Sequence, residues 1–294
     1  MEKKLVSIII PTYNCARYII QAIESCIRQT YKNIEIIVID DGSTDNTREI
    51  INKYIVNNNI IYIYQKNQER SIARNEGIKS SKGEFIQFLD ADDLLVETKI
   101  LKDVEYLEKN KQYFGVYCST IYFKNDNVND IITASLIKCG KNTYKKLIKG
   151  NFIPINSMLT RRSNVFFDKD LKTMEDWDYW LNIILHGKMI GYIKESLCYV
   201  RVHQNNTSHN KKLMLENEKN VLCKMLKYNL CNDLINFRLF IICDVLNNRQ
   251  KLYYLKNSIR INKMSIAKYI IYKIKNKIKN VFNIKKDHYN LLEE

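Results

Sequence analysis

The stretch Gly83–Asp93, GEFIQFLDADD, decides the fold. Its mostly apolar run Phe85–Leu89 predicts a buried strand of a parallel sheet, and three carboxylates follow within four residues, at Asp90, Asp92 and Asp93. Ligands of open α/β sheets bind beyond the carboxyl ends of the strands. Oxygen ligands on a short turn favour Mg²⁺ or Mn²⁺, which take further oxygens from substrate phosphates. The stretch therefore predicts a metal that holds a diphosphate, and a solvated acidic turn before the next helix is the alternative.

The alternation of β-rich and helical patterns around this stretch predicts a parallel sheet. The predicted strands before residue 90 are Leu5–Ile10, Ile34–Asp40, Ile60–Gln65 and Glu84–Leu89, and the helices between them are Ala16–Gln29, Asp45–Ile55 and Ser71–Ser80. The later predicted elements are a helix near Lys99–Lys109, a strand at Phe114–Ser119, a strand from Ser157, a helix at Trp177–Leu185 and a strand through Ile190–Val202. Beyond Asn206 the periodicity is helical. We therefore expect an α/β fold, with a mostly parallel sheet flanked by helices and a helical C-terminal extension.

The composition describes a folded chain with an uneven charge. Of the 294 residues, 46% are hydrophobic and 27% charged, and the eight cysteines form no C-x-x-C pair. This pattern gives no support to a zinc ribbon or a thioredoxin-like site and favours a cytoplasmic protein with reduced thiols. We expect neither a signal peptide nor a membrane-spanning helix. Residues 206–294 hold 18 Lys/Arg against 7 Asp/Glu, a net charge of +11, out of +15 for the whole chain.

Polar groups also follow the first two predicted strands. Pro11, Thr12 and Tyr13 end the first strand, and Asp40 and Asp41 end the second. Each of these residues taken singly is typical of a turn. Three neighbouring strand ends that carry polar groups indicate a nucleotide site at one edge of the sheet.

Six motifs in a fixed order carry a resemblance to a known family. They are SIIIPTYN (7–14), IEIIVIDDGSTDNT (34–47), SIARNEGI (71–78), EFIQFLDADD (84–93), MEDWDYWLNIILHG (174–187) and YVRVHQNNTS (199–208). Over Val6 to about Ser208 the chain resembles the inverting family 2 glycosyltransferases, which have the nucleotide-diphospho-sugar transferase (GT-A) fold. The resemblance implies a catalytic domain at residues 1–205 and an extension at 206–294.

The resemblance assigns the nucleotide pocket. It implies that Pro11–Tyr13 line the base and that Asp40 accepts a hydrogen bond from a uracil-type imide, which favours uridine or thymidine over adenine. Arg74 would face the nucleotide or its phosphates. A surface pair of Arg74 with Glu76 or Glu69 is the alternative.

The resemblance also assigns the metal site. Asp90 and Ala91 would approach the nucleotide at its ribose, and Asp92 would bind Mn²⁺ or Mg²⁺. Arg201 and His203 lie on one face of a strand by alternation, so that His203 can complete the metal shell and Arg201 can contact a phosphate. A purely structural histidine is the alternative for His203.

The second half of the chain must supply the catalytic base. In an inverting transfer the acceptor hydroxyl attacks the anomeric carbon opposite the leaving group, and a carboxylate on that face takes its proton. The resemblance implies that Asp176 is this base and that Glu175 orients it or touches the acceptor. The alternative is an acid pair that only stabilises a helix N-terminus. Asp178 follows two residues on, about 200° around the helix, and should point elsewhere.

The resemblance implies transfer of one sugar from a nucleotide-diphosphate sugar, expected to be UDP-linked, to a saccharide or lipid-linked acceptor of a bacterial surface glycan. The Q-x-x-R-W element of processive relatives is absent, which favours single-sugar addition.

Isoleucines and lysines over Ser265–Lys286 predict a basic amphipathic helix. Such a helix can attach the protein to an anionic membrane surface, here the cytoplasmic face of the inner membrane, or can pack on the catalytic domain instead.

Three other functions compete with this interpretation. A nucleotidyltransferase usually has a Gly-rich loop after the first strand, whereas no glycine precedes Gly42 here. A nucleic-acid-binding protein would fit the charge and the 20 tyrosines, but the predicted site is acidic, so we expect no nucleic acid partner. A catalytically silent nucleotide-sugar-binding protein is disfavoured because Asp176 is present together with Asp92.

Overall fold

The computed structural model describes residues 3–55, 60–124, 127–135, 143–203, 210–229 and 232–258. The chain forms two compact units, one of residues 1–144 with 151–210 and one of residues 145–150 with 211–294. The amphipathic helix predicted at 265–286 lies outside the described residues. In the described ranges no helix is both long and apolar enough to cross a membrane.

A nine-stranded mixed sheet forms the centre of the first unit, in the order β3-β2-β1-β4-β8-β6-β9-β5, with β7 paired to β6. The strands are β1 Val6–Thr12, β2 Ile34–Asp40, β3 Ile60–Tyr64, β4 Phe85–Phe88, β5 Leu94–Leu95, β6 Tyr113–Lys124, β7 Ile131–Ser135, β8 Met158–Arg161 and β9 Met189–Val202. The first four strands are mutually parallel, as the βα alternation predicts, and β6 is parallel to β9. β8 runs antiparallel between β4 and β6. The predicted α/β class is confirmed.

Helices flank this sheet and make up most of the described part of the second unit. They are α1 Ile19–Ile27, α2 Thr47–Ile55, α3 Arg70–Ser80, α4 Lys99–Lys109, α5 Thr143–Lys149, α6 Glu175–Leu185, α7 Lys211–Met225, α8 Asn232–Val245 and α9 Lys251–Ser258. The helix predicted from Trp177 begins two residues earlier, at Glu175, so both acidic residues lie in its first turn. β5, β7 and α5 were not predicted.

β1 is buried along its whole length. On one face Ile8 and Ile10 pack in the same core cluster as Ile23 of α1. On the other face α3 lies so close that a Cβ added to Gly77 would stand 2.3 Å from Cγ2 of Ile9. The unbroken apolar run of β1 therefore reflects a strand that is covered on both faces.

Replacing Gly77 with alanine should lower the free energy of unfolding by about 1–2 kcal/mol. Overpacking against the buried Ile9 costs more than the ~1 kcal/mol that alanine contributes as a better helix former. Urea denaturation measures the difference. Gly150→Ala is the matched control, because a Cβ there meets only the Arg238 side chain at 3.7 Å. Equal stability of both variants would contradict the close approach of α3 to β1.

The sheet order places a crevice at the carboxyl end of β1. The chain goes from β1 to β2 and β3 on one side and then returns to β4 on the other, and such a switch point is where open α/β sheets bind ligands. Thr12 is in register with Asp40 across β1 and β2, and Ile9 is in register with Phe88 of β4. The strand ends therefore bring Thr12, Asp40 and the turn that begins at Asp90 to one edge.

Candidate active site

The turn after β4 brings three carboxylates together. One oxygen from each of Asp90, Asp92 and Asp93 lies within 4.8 Å of the others. Asp93 is buried, and its carboxylate accepts hydrogen bonds from the backbone N–H of Arg201 at 2.8 Å and from Nδ2 of Asn156 at 3.2 Å. Burial and the charges of Asp92 and Asp90 raise the pKa of Asp93 well above its usual value. Asp93 thus fixes the turn to β9, while Asp90 and Asp92 stay partly exposed.

The end of β9 closes this turn from the other side. His203 Nε2 lies 2.9 Å from Oδ2 of Asp92, and Nε of the buried Arg201 donates to the Asp92 carbonyl at 2.8 Å. Both residues lie beside Tyr18, whose ring stacks with His203 and contacts the Arg201 guanidinium at 4.5 Å. Arg201 also donates to Oε1 of Gln21 at 2.6 Å. These contacts make Arg201 a residue that shapes the turn, and its phosphate contact stays a prediction.

The acidic turn fits a hard divalent cation. Its donors are carboxylate oxygens with one imidazole beside them, which is the chemistry that Mg²⁺ and Mn²⁺ accept. Burial and the charge of Asp90 raise the pKa of Asp92. A cation bound between these two carboxylates would remove their repulsion. Asp92, Asp90 and His203 are therefore the residues that could hold the ion.

Arg74 connects this turn to the start of α6. The buried guanidinium donates from NH2 to Oδ1 of Asp90 at 2.6 Å and from NH1 to Oε1 of Glu175 at 2.7 Å. It lies 5.3 Å from the ring of Phe167, which stacks on Tyr179. The alternative interpretation, a surface pair of Arg74 with Glu76 or Glu69, is therefore wrong. The contact of Arg74 with the nucleotide stays a prediction.

Asp176 lies beside Glu175 in the first turn of α6 and is only partly buried. Its Oδ2 accepts a hydrogen bond from Nδ2 of Asn151 at 2.8 Å, and its Oδ1 accepts one from the backbone N–H of Trp177 at 2.8 Å. Burial, followed by the charge of Glu175, raises the pKa of Asp176 to about 7, although Arg74 opposes the shift. A carboxylate with this pKa is suited to accept a proton near neutral pH.

The backbone before α6 is held in an unusual conformation. Met174, directly before Glu175, has φ 62° and ψ 13°, in the left-handed region that a non-glycine residue adopts at a cost. Trp177 and Trp180 are fully buried and hold the helix in the core. Asp178 accepts instead from Nδ2 of Asn182 at 3.1 Å. The buried tryptophans and the fixed Met174 backbone thus hold the first turn of α6, and with it Asp176, in place.

At the other end of the crevice the predicted nucleotide residues differ in exposure. The Tyr13 side chain is 51% exposed, whereas Pro11 and Thr12 are buried, and Oγ1 of Thr12 has no hydrogen-bond partner among the described residues. Asp40 is fully buried and accepts from the Ser43 backbone N–H at 2.8 Å and from the Tyr62 hydroxyl at 2.7 Å. Each oxygen of Asp40 thus accepts one hydrogen bond and keeps a second lone pair that a base imide could use. This role of Asp40 stays a prediction.

Sequence reasoning missed several residues of the site. Asn151 lies in an irregular segment between α5 and β8 and belongs to none of the six motifs. Tyr18 and Phe167 look like ordinary core aromatics in the sequence. The Gly150-Asn151 pair shortly before Pro154 was the available signal for Asn151, because Gly and Asn are common turn residues.

Comparison with solved structures defines the class of fold. A Staphylococcus aureus TarS fragment (1–349) in complex with UDP superimposes with a TM-score of 0.59 at 19% identity, over 81% of this chain and 70% of that one. The mannosyltransferase PcManGT from Pyrobaculum calidifontis, in complex with GDP-Man and Mn²⁺, gives a TM-score of 0.58 at 15% identity, over 95% and 88%. The fold is that of the GT-A glycosyltransferases, as predicted.

Sequence comparison defines the family. The model of glycosyl transferase family 2 matches residues 7–198. The chain is 38% identical over 226 residues to Escherichia coli WfaP, a UDP-Glc:α-D-GlcNAc-diphosphoundecaprenol β-1,3-glucosyltransferase, covering 74% of this chain and 86% of WfaP. It is 31% identical over 214 residues to the Bacillus subtilis minor teichoic acid biosynthesis protein GgaB, covering 69% of this chain but only 23% of GgaB. The chain belongs to glycosyltransferase family 2 and is a glycosyltransferase, which confirms the predicted resemblance.

Proposed function

We propose that this glycosyltransferase moves one hexosyl residue from a UDP-sugar to a lipid-linked or glycan acceptor in bacterial surface-glycan synthesis, with inversion at the anomeric carbon. One observation carries the proposal: the buried Arg74 joins Asp90 of the acidic turn to Glu175, the neighbour of Asp176. This pairing supports one site in which the acidic turn binds the diphosphate and Asp176 acts as the base. The named activity of the relative WfaP supports a UDP-glucose donor and a diphospholipid acceptor.

The transfer is a single displacement at the anomeric carbon. The acceptor oxygen forms a bond to this carbon while the bond from carbon to the phosphate oxygen breaks, and the electron pair leaves with UDP. Asp176 takes the acceptor proton as general base. Glu175 is held by Arg74 at 2.7 Å, so its carboxylate is turned to that partner and leaves the acceptor proton to Asp176.

Asp92 and His203, with Asp90 beside them, would hold Mn²⁺ or Mg²⁺ in this site. When bound, such an ion neutralises the diphosphate and acts as a Lewis acid on the departing nucleotide. The protein's own part is to hold Asp92 in place through Arg201 and His203.

The test of this function is transfer to polyprenyl-diphosphate-GlcNAc from a panel of UDP-, dTDP-, GDP- and CMP-sugars, each with Mn²⁺ and with EDTA. We expect one UDP-hexose to be consumed, with Mn²⁺ required, and the product to have the opposite anomeric configuration to the donor by NMR. Product from GDP- or CMP-sugars alone would refute the donor assignment. Retained configuration would refute the single displacement.

The rate of transfer should rise with pH through about 7 and then level off. Asp176 must be deprotonated to accept a proton, and burial together with Glu175 raises its pKa to about 7. Above this pKa the base is fully charged, and below it kcat should fall tenfold for each pH unit. A kcat profile from pH 5 to 9 at saturating donor checks the prediction. A flat profile down to pH 5 would contradict Asp176 as the base.

We also propose that the basic segment at 206–294 attaches the enzyme to the anionic cytoplasmic surface of the inner membrane, next to a lipid-linked acceptor. Each lysine near such a surface contributes roughly 1 kcal/mol. The protein should co-sediment with vesicles that contain about 30 mol % phosphatidylglycerol, which gives them an anionic surface. Changing Lys273, Lys275, Lys277 and Lys279 to glutamine should abolish this binding without changing the activity on a water-soluble acceptor. If this four-lysine variant co-sedimented with the vesicles as strongly as the wild type, attachment through the basic segment would be refuted.

A further inference from the structure

The Asn151 side chain is held at both ends. Its Oδ1 accepts a hydrogen bond from the backbone N–H of Ile153 at 3.2 Å, and its Nδ2 donates to Oδ2 of Asp176 at 2.8 Å. An amide is the group that can accept at one atom and donate at the other in this arrangement. Serine is too short to do both, and an aspartate has no donor when ionised.

The segment that carries Asn151 is anchored in the core next to α6. Ile153 is fully buried, and its carbonyl accepts a hydrogen bond from Nε1 of the buried Trp180 at 3.1 Å. Trp180 lies one helical turn after Asp176 on α6. The segment of Asn151 is therefore attached to α6, the helix that carries Asp176, although 25 residues separate Asn151 from Asp176.

We propose that Asn151 is a positioning residue for the catalytic base, which it holds in the rotamer and charge state needed to receive the acceptor proton. This inference rests on the proposed function. With the Trp177 N–H on Oδ1 and Asn151 on Oδ2, each carboxylate oxygen of Asp176 has one donor. Each oxygen then keeps a second lone pair that can accept the substrate hydroxyl.

The charges around Asp176 make this hydrogen bond important. Glu175 repels the charged form of Asp176, and Arg74, which is already paired with Glu175 and Asp90, counters only part of this effect. The Tyr122 hydroxyl, on β6, is a further titratable group that interacts with Asp176. Asn151 donates a side-chain hydrogen bond to the carboxylate of Asp176. The bond from Asn151 lowers the pKa of Asp176, so its loss should leave more of the base protonated at neutral pH.

The test compares Asn151→Ala with the wild-type enzyme. Asn151 is exposed, so the variant is expected to fold with an unchanged melting temperature. The pH at which kcat reaches half its plateau should rise by roughly one unit, since one hydrogen bond to a charged group is lost. From a pKa of about 7 this shift lowers kcat at pH 7 roughly fivefold. KM for the donor and Kd for UDP should not change. Asn151→Asp should shift the profile further, because it adds a like charge beside Asp176.

Asn182→Ala is the matched control, because it removes an amide on α6 that donates to Asp178 instead. Its pH profile should match that of the wild type. An Asn151→Ala profile with the wild-type midpoint would overturn the proposal, as would a midpoint shift of equal size in Asn182→Ala.

A measurement that needs no turnover separates this inference from the proposed function. The Asp176 carboxyl titration can be followed by ¹³C NMR in aspartate-labelled protein, assigned with Asp176→Asn. A higher midpoint in Asn151→Ala supports the positioning role even if the wild type accepts no UDP-sugar, a result that would refute only the proposed function. An unchanged midpoint overturns the positioning role whatever the donor is.

Discussion

Replacing Asp176 with asparagine is expected to lower kcat by about 10³-fold, within the range that a positioned general base contributes. The amide has nearly the shape of the carboxylate, but it cannot take a proton from the acceptor hydroxyl. KM for the donor should stay within about twofold, because the nucleotide contacts that we propose lie in the β1–β4 crevice. Initial rates at saturating donor and acceptor, together with UDP binding by calorimetry, measure both effects.

The control for this variant is Asp178→Asn, on the same helix turn. Asp178 is bound to Asn182 and has no proposed part in the chemistry. Its kcat should stay close to that of the wild type in protein that melts at a comparable temperature. If Asp176→Asn kept more than a tenth of the wild-type kcat, the base would have to be another residue. Glu175 would then be the first candidate, although it is paired with Arg74.

Replacing Asp92 with asparagine should weaken Mn²⁺ binding in the presence of UDP by at least about 100-fold and lower kcat by a similar or larger factor. The substitution removes the carboxylate that lies nearest to His203, at 2.9 Å, and leaves Asp90 tied to Arg74. Electron paramagnetic resonance of Mn²⁺ measures the binding without relying on turnover. His203→Gln should produce a smaller loss of Mn²⁺ affinity, because a carboxylate cluster remains.

Asp130→Asn serves as the surface control, since Asp130 is exposed in the β6–β7 connection. Its Mn²⁺ affinity and kcat should equal those of the wild type. Asp92→Asn with an unchanged Mn²⁺ affinity would show that the acidic turn does not hold the ion. In that case the turn would only stabilise the connection between β4 and β9.

Much of the fold could be predicted because its signals are local. The apolar run before Pro11 and the run before Asp40 predicted β1 and β2 to within two residues at either end. A strand buried on both faces must be apolar throughout, and the polar residues that follow it mark the edge of the sheet. The order of the six motifs then indicated the family, which the comparisons confirm.

The elements that were missed have weak local signals. β5 has only two residues, Leu94 and Leu95, and exists because β9 pairs with it. A strand as short as β5 has no periodicity long enough to detect. β8 was predicted as a strand from Ser157, but its antiparallel position between β4 and β6 depends on pairing between distant segments.

The sequence by itself determined the α/β alternation, the polar strand ends and the acidic first turn of α6, because these depend on neighbouring residues and on periods of two or 3.6 residues. Only the tertiary structure decided which charges meet. Arg74 reaches Glu175 across 101 positions, and Arg201 is buried against the turn of Asp92 and Asp93. A buried charge is costly unless an opposite charge or a hydrogen-bond partner lies next to it. The sheet order brings these partners together, and this order is not a local property of the sequence.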